Sequence, residues 1–300
     1  MIQKPSLPSL ELLRLRYLNM RMNFSPKDRV YYQYLEKGHE GEQRADDWLR
    51  GLSQESIVLH DLLLEVNFST FQIDSLVITQ ETIYMFEVKN YDGDYIIKKG
   101  RWYKTSGKEI KNPLLQLERT ETLLRQFFQF YCLDFSIQAY LLFINPYFTL
   151  YQASPELPII LPTQLQSFME NWNKVPSQLL SRHTALAEQL LKLHIPSSPH
   201  QRIPEYMWDT LKKGMLCSNC MSFLDFYKYK VICPACKLTE SLENAVLNSI
   251  TEFQLLFPKK KITTNMIYEW TQMKGDKQRV HRILAKHYKQ KKQRKHTYYV

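Results

Sequence analysis

Glycine, cysteine and long apolar runs are scarce in this sequence. Eight glycines and 14 prolines among 300 residues are too few for a low-complexity chain, and no internal repeat is visible. No apolar run approaches the ~18 residues needed to span a bilayer. Arg14, Arg16 and Arg21 interrupt the leucines near the N-terminus, which predicts that no secretory signal peptide is present. We therefore expect a soluble, cytoplasmic protein with no membrane partner, large enough for more than one domain.

Basic charge is concentrated in the last part of the chain. The net charge is +10, but residues 257–300 alone hold 13 Lys and Arg against 2 Asp and Glu. The preceding 256 residues are nearly neutral. Such a basic segment favours a polyanionic partner, and a solvated basic tail is the alternative.

Four of the five cysteines form two close pairs. Cys217-Ser-Asn-Cys220 and Cys233-Pro-Ala-Cys236 are separated by 12 residues rich in aromatic and strand-forming types. Four thiolates in two knuckles joined by a hairpin suit a tetrahedral, structural Zn²⁺, with free thiols or redox pairs as alternatives. The remaining Cys132 follows an aromatic helical segment and is interpreted as a buried small hydrophobe.

An apolar stretch within residues 70–95 predicts two strands, and three charged residues, Asp74, Glu87 and Lys89, interrupt those strands. A two-residue turn at Gln80-Glu81 would place Asp74 directly opposite Glu87, with Lys89 on the same face as Glu87. Opposed carboxylates repel each other, and a divalent cation between them would convert that repulsion into ligation. The lysine would then polarise a water or neutralise charge on a phosphate.

Two helices can add polar groups to this pair. A helix is predicted from Ser25-Pro26 toward Gly38, and a second from Glu42, which would lie at the edge of an apolar stripe. The alternative for Glu42 is an ordinary acidic residue in a first helical turn. Asn112-Pro113 predicts another helix start, with Gln116 in the first turn, where a surface polar role is the alternative.

Three helical patterns follow the cysteines. The last two are joined by a Gly-containing turn, and the final helix, predicted from Lys277 to about Lys289, is strongly basic, which is typical of a helix-turn-helix. A three-helix protein-interaction module with a solvated basic face is the alternative. The candidate phosphate contacts are Lys274, Lys277, Arg279, Arg282, Lys286 and Lys289, with Lys291, Lys292, Arg294 and Lys295 in the flanking run.

Four blocks in this order resemble the nuclease-related domain (NERD) family, within the PD-(D/E)xK nuclease superfamily. They are Gly38-His-Glu-Gly-Glu42, Gln72-Ile-Asp74, Phe86-Glu87-Val-Lys89-Asn-Tyr-Asp-Gly93 and Asn112-Pro-Leu-Leu-Gln116. The resemblance covers residues from about 36 to 150. It implies a restriction-endonuclease-like mixed sheet flanked by helices, in which Glu42, Asp74 and Glu87 help to bind Mg²⁺ (or Mn²⁺) and Lys89 assists the attacking water. Gln116 is carried over as a further catalytic residue.

The predicted organisation has five parts: an N-terminal helical segment (1–35), a nuclease-related α/β domain (36–194), a linker (195–212), a four-cysteine zinc ribbon (213–240) and a basic helix-turn-helix-like module (241–300). The leading functional hypothesis is metal-dependent phosphodiester hydrolysis on DNA, with RNA as a further possibility. The second is a non-catalytic nucleic-acid-binding or regulatory protein that keeps the nuclease-like fold as a scaffold.

Overall fold

The computed structural model describes residues 2–196, 201–227, 230–273, 275, 277–293 and 296–300. The helices described are α1 (Leu10–Arg21), α2 (Pro26–Leu49), α3 (Pro113–Phe130), α4 (Leu165–Trp172), α5 (Ser181–Leu193), α6 (Leu242–Leu256), α7 (Thr264–Thr271) and α8 (Gln278–His287). The strands are β1 (Ile2–Lys4), β2 (Ile57–Val66), β3 (Ser69–Ile78), β4 (Thr82–Lys89), β5 (Gly93–Lys98), β6 (Arg101–Lys104), β7 (Glu109–Ile110), β8 (Ser136–Phe143), β9 (Phe148–Tyr151), β10 (Ile159–Ile160), β11 (Asp225–Tyr227), β12 (Lys230–Ile232), β13 (Thr239–Ser241), β14 (Gln290–Gln293) and β15 (His296–Tyr299). Across these ranges, no helix has the length and apolar character required to cross a membrane.

Contacts divide the chain into two compact units. The first comprises Met1–Pro8 and Gln33–His200, and the second comprises Ser9–Tyr32 and Gln201–Val300. The N-terminal segment, expected as one helical piece, is thus shared: it supplies β1 to the first unit and α1 to the second. The boundary between the units falls inside α2.

A six-stranded mixed sheet organises the first unit, in the order β1-β2-β3-β4-β8-β10. β2, β3 and β4 are antiparallel neighbours, whereas β4, β8 and β10 run parallel. The β3–β4 register pairs Ser75 with Phe86 and Ile78 with Ile83, as predicted from a turn at Gln80-Glu81. This register sets Asp74 opposite the β4 segment that carries the second carboxylate.

Helices cover both faces of this sheet. Apolar residues of α3 and α5 pack against one face, while Ala45 and Leu49 of α2 and Trp172 of α4 pack against the other. Asn112 caps α3 as predicted, because its side chain accepts a hydrogen bond from the Leu114 N–H at 2.9 Å. This α/β architecture confirms the predicted fold class.

Two local expectations are wrong. The two helices predicted on either side of Gly38 are one continuous helix, α2, because the glycines do not interrupt its hydrogen-bonding pattern. Cys132 is exposed rather than buried, and it adopts a left-handed conformation (φ 53°) directly after α3 ends.

A four-stranded sheet, β7-β6-β5-β9, completes the first unit. Its β5–β6 hairpin turns at Lys99-Gly100, and both turn residues have positive φ. Trp102 on β6 is 1% exposed and stacks on Phe143 of β8, with 6.0 Å between ring centroids. One face of this small sheet is therefore joined to the main core.

A buried ion pair holds the second unit together. The Arg21 guanidinium donates to both carboxylate oxygens of Glu252 at 2.5 and 2.6 Å and to the backbone carbonyls of Lys212 and Gly214 at 2.6 and 3.0 Å. The same group lies 3.9 Å from the centre of the Trp270 ring. Because a buried charge needs such a complete set of partners, Arg21 fixes α1 to α6 and α7.

The C-terminal part of the second unit contains the three predicted helices and a hairpin that sequence reasoning missed. Ser241 and Thr263 cap α6 and α7, and Val280 and Leu284 are the buried residues of α8. The hairpin β14–β15 follows α8, and Tyr299 on it also forms an isolated bridge with the segment between α6 and α7. These two strands are short and rich in basic residues, so the sequence shows no clear alternation of apolar and polar residues that would predict them.

Candidate functional site

The opposed carboxylates of the β3–β4 hairpin lie at the edge of the sheet core. Glu87 is 3% exposed and Asp74 is half-buried. Asp74 Oδ2 accepts a hydrogen bond from the Val88 N–H at 2.8 Å, which ties it across to β4 beside Glu87. The register thus delivers the predicted carboxylate pair.

Lys89 and Gln116 converge on Glu87. Glu87 Oε1 accepts from Lys89 Nζ at 2.6 Å and from Gln116 Nε2 at 2.6 Å, while Lys89 Nζ also reaches Gln116 Oε1 at 3.1 Å. Gln116 arrives here because the Asn112-Pro113 cap aims the first turn of α3 at the end of β4. The three residues form a closed hydrogen-bonded triangle.

Glu42 approaches the pair from α2. Its carboxylate is half-buried, 3.5 Å from Ser6 Oγ and 3.6 Å from His39 Nδ1. Its charge is near enough to Asp74 to affect the proton affinity of that residue. Glu42 therefore lies against the sheet and is only partly exposed to solvent. It lies within α2 and does not begin a helix.

The carboxylates give this site an excess of negative charge. Burial and the carboxylates of Glu87 and Glu42 raise the pKa of Asp74 well above its usual range. Burial alone would lower the pKa of Lys89, but Glu87 and Asp74 outweigh it and raise the pKa. Lys89 is accordingly a cation at neutral pH, and the site favours an additional positive charge.

The fit to a divalent cation is incomplete in this arrangement. Within the described ranges, the four paired cysteines alone bring three or more potential ligand atoms within 4.8 Å of one another. Glu42, Asp74 and Glu87 interact electrostatically, but their carboxylate oxygens do not all lie within 4.8 Å of one another. Because Lys89 occupies one oxygen of Glu87, the ammonium already compensates part of the negative charge. The donor set itself, three carboxylates with an amide, is one that Mg²⁺ or Mn²⁺ prefers.

Gly41 allows α2 to come close to the end of β4. A Cβ at this position would lie 2.6 Å from the Asn90 Cβ, directly after Lys89. Asn90 in turn donates to the Lys37 carbonyl at 2.8 Å and accepts from Asn145 at 3.0 Å. The second glycine of the Gly38–Glu42 block is thus required sterically, and it sets the distance between Glu42 and the hairpin.

A buried polar chain behind the carboxylates was missed by sequence reasoning. His60 Nδ1 is hydrogen-bonded to Ser75 Oγ at 2.8 Å, and His60 Nε2 lies 3.5 Å from Asp46 Oδ1. Ser75 and His60 are each 1% exposed, so they have no access to a substrate. Ser75 follows Asp74, and Asp46 lies one turn after Glu42. The chain therefore links the two elements that carry the site, and a histidine within an apolar strand was the available signal.

The four cysteines form a second, separate centre. Their Sγ atoms all lie within 4.8 Å of one another, with Cys217 to Cys236 at 3.6 Å and Cys220 to Cys233 at 3.3 Å. Four thiolates at about 2.3 Å from a tetrahedral zinc would be separated by similar distances. The cluster confirms the predicted metal-binding ribbon at residues 217–236.

The two knuckles have the same backbone geometry. The N–H groups of Cys217 and Cys233 bond to the carbonyls five residues later, at 2.8 and 2.9 Å, and the residues after each pair, Met221 and Lys237, have φ of 62° and 64°. Hydrogen bonds from Ser222 lower the pKa of Cys220 to about 6, whereas burial raises the pKa of Cys217 to about 12. A bound cation would offset the cost of ionising the buried thiol.

The basic residues predicted to contact phosphates are not equivalent. Lys277 and Arg282 of the α8 region are exposed, as is Lys289 after it. Lys286 donates to Glu243 of α6 at 2.7 Å, and His287 lies 2.5 Å from the same oxygen. Arg279 is half-buried. Lys274, Arg294 and Lys295 lie outside the described residues; the backbone of Lys291 and Lys292 belongs to β14.

Residues 37–144 match the family model of the nuclease-related domain. The match begins in α2 just before the glycine block, spans the carboxylate hairpin and the strands β5, β6 and β7, and ends after β8, before the last strand of the small sheet. This part of the chain is therefore similar to nuclease-related domains, and it is followed by a cysteine cluster suited to a structural metal. No curated protein and no solved structure matches the chain.

Proposed function

We propose that this protein is a divalent-metal-dependent phosphodiesterase that acts on DNA. The observation that carries the proposal is the convergence of Lys89 and Gln116 on Glu87, beside Asp74, whose pKa is raised by burial and by its acidic neighbours. A buried surplus of carboxylates is costly to fold, and a cation and an anionic substrate together would relieve it. The match of residues 37–144 to the nuclease-related domain supports this class of chemistry.

Asp74, Glu87 and Glu42 would hold Mg²⁺ or Mn²⁺, which supplies activation of water and clamping of the scissile phosphate. Lys89, a cation at neutral pH, would stabilise negative charge as it develops on the phosphate oxygens. Gln116 would orient Glu87 through the 2.6 Å hydrogen bond that it already donates. Asp74 is anchored by the Val88 N–H, so only one of its oxygens is committed within the protein.

The second unit would deliver the DNA, with Zn²⁺ at the four cysteines as a structural cofactor. The order helix, bridge, helix, helix and hairpin from α6 to β15 is typical of a winged helix-turn-helix, in which the last helix enters a groove. Lys277, Arg282 and Lys289 would contact phosphates. Lys286 is paired with Glu243 and would contribute little.

Cleavage assays test the catalytic assignment. Supercoiled plasmid and labelled duplex and single-stranded DNA, with matching RNA, are incubated with Mg²⁺ or Mn²⁺. Wild type should cleave, and Asp74→Ala and Lys89→Ala should each lose about 10²–10³-fold in rate. Glu81→Ala is a matched control, since it removes an exposed carboxylate from the turn at the other end of the same hairpin. Equal cleavage by all four proteins, or by none, rules the assignment out, and cleavage of RNA alone changes the substrate.

Binding assays test the delivery module. Lys277→Gln with Arg282→Gln should weaken DNA binding and reduce the slope of log affinity against log salt by about 1.8, whereas Lys286→Gln should change neither strongly. A uniform effect of all three substitutions would contradict the proposed docking face.

A second candidate is a non-catalytic nucleic-acid-binding protein. It is favoured by one observation: the carboxylate oxygens of Glu42, Asp74 and Glu87 do not all lie within 4.8 Å of one another. In such a protein Asp74→Ala would leave DNA affinity intact and no metal-dependent cleavage would be found. Calorimetric titration with Mn²⁺ separates the two, because a nuclease site binds the ion and a fully self-satisfied scaffold does not.

A further inference from the structure

The outer face of the small sheet carries a row of aromatic and aliphatic side chains. Tyr151 on β9 pairs with Ile96 on β5, and Ile96 pairs with Tyr103 on β6. Because paired positions point to the same face, the three side chains form one row across three strands. Tyr151 is 49% exposed, and Ile96 and Tyr103 are half-buried. The opposite face, with Tyr95 and Trp102, is the one buried in the core.

Cationic side chains form the next row on the same face. Lys98 and Arg101 pair across the β5–β6 hairpin, two residues along each strand from Ile96 and Tyr103. Both are exposed. Residues 93–111 hold six exposed Lys and Arg against two Asp and Glu, although the first 256 residues are nearly neutral overall. The excess of positive charge is therefore local to this segment of the chain, while Asp94 and Glu109 share the outer face with Lys98 and Arg101.

The sheet adjoins the carboxylate site at two points. β5 begins four residues after Lys89, and Tyr91 between them stacks on Tyr95 with ring centroids 5.4 Å apart. At the other end of the hairpin, the Asn112 side chain donates to the Gly100 carbonyl at 3.5 Å, one turn of α3 before Gln116. The small sheet is therefore connected to the site through Tyr95 on its buried face and through its hairpin turn at Gly100.

We propose that the outer face of the β7-β6-β5-β9 sheet binds single-stranded nucleic acid, with bases on Tyr151 and Tyr103 and phosphates on Lys98 and Arg101. Every base has a π face, so stacking on aromatic side chains beside a basic track retains single strands without reading sequence. A duplex keeps its bases stacked internally and cannot use the aromatic row. The inference rests on the proposed function only in taking a polynucleotide as the substrate.

The test measures binding by the full-length protein to labelled oligothymidylate and to a duplex of equal length. Fluorescence anisotropy is recorded without divalent cations, so that no cleavage occurs, and without chelators, so that the cysteine centre keeps its metal. Lys277→Gln with Arg282→Gln serves as the background, because it lowers the contribution of the second unit. Thermal melts confirm that each variant is folded.

Tyr103→Ala and Tyr151→Ala should each weaken single-strand binding about tenfold while leaving duplex binding unchanged, and the Phe variants should stay within about twofold because the rings remain. Lys98→Gln with Arg101→Gln should reduce the single-strand salt slope by about 1.4. Lys174→Gln with Lys192→Gln, which removes two exposed charges elsewhere in the same unit, should not change it.

Equal losses on both ligands, no loss on either, or a loss in the Phe variants as large as in the Ala variants would overturn the inference. If Tyr103→Ala does not fold, the more exposed Tyr151 and the Lys98–Arg101 pair decide the outcome. A wild type that binds single strands but never cleaves supports this face and removes the proposed catalysis. If the wild type cleaves but does not bind single strands, the proposed catalysis is supported and this binding face is ruled out.

Discussion

Substituting Gly41 by alanine should disturb the carboxylate site through a single methyl group. The new Cβ would lie 2.6 Å from the Asn90 Cβ, whereas carbon atoms in contact sit at about 3.5–4.0 Å. α2 or the end of β4 must therefore move by about 1 Å. Overpacking of this kind costs about 1–3 kcal/mol, against a gain of about 1 kcal/mol in helix propensity.

Gly38→Ala is the matched control. It lies on the same helix, is exposed, and has nothing within 4 Å of the position that its new methyl group would take. Both substitutions gain the same helix propensity, so the difference between their unfolding free energies isolates the packing cost of about 1–3 kcal/mol. Urea unfolding followed by tryptophan fluorescence measures it, since Trp48 stands on α2 itself.

The same displacement should reduce activity. A shift of about 1 Å in a catalytic group costs about 10²-fold in rate, and Glu42 directly follows Gly41. We expect Gly41→Ala to lose metal-dependent cleavage while Gly38→Ala retains it. Equal stability and equal activity in the two variants would show that the approach of α2 to Asn90 does not control the site.

Three further outcomes are expected. Arg21→Ala should lower the free energy of unfolding by about 3–5 kcal/mol, because it leaves Glu252 buried without its partner. Amide hydrogen exchange should accelerate in α1 and α6 but not in α3, and uniform acceleration would refute the assignment of Arg21 to the second unit. Asp74→Asn should be more stable than wild type at neutral pH. The raised pKa of Asp74 means that wild-type stability falls as the pH rises from the ordinary carboxyl pKa to the pKa in the folded protein. A difference in urea midpoints that does not change with pH would contradict this. Cys233→Ser should release zinc and unfold the ribbon, whereas Cys132→Ser, at the exposed fifth cysteine, should leave a stoichiometry of one zinc per chain by mass spectrometry under native conditions.

Sequence patterns predicted the carboxylate hairpin well because its information is local. Strand alternation and a two-residue turn determine the register, so Asp74 and Glu87 could be placed opposite each other without tertiary knowledge. The Asn112-Pro113 cap is equally local, and it places Gln116 at the end of β4. The cysteine cluster follows from spacing alone.

What could not be predicted depends on contacts between distant segments. Glycines at positions 38 and 41 suggested a break in α2. Gly41 is instead required because a Cβ at this position would clash with Asn90, and no local sequence rule reveals that contact. The polar chain through His60 and Ser75 joins two strands and a helix, so no single stretch displays it. Short strands such as β1 and β9 exist because neighbouring strands pair with them, and their own residues carry little signal.

The pairing of Arg21 with Glu252 has a consequence for how this protein is made. The partners are 231 residues apart, and a ribosome adding about 5–20 residues per second needs roughly 10–50 s to pass from one to the other. Throughout that interval α1, with its leucine face, has been synthesised but lacks the helix that neutralises and covers it. A fragment ending at residue 194 would remain in that condition permanently. A nascent chain of this protein should therefore depend on chaperones until its C-terminal helices emerge, and shortened forms should aggregate through α1 even when the nuclease-related domain itself is folded.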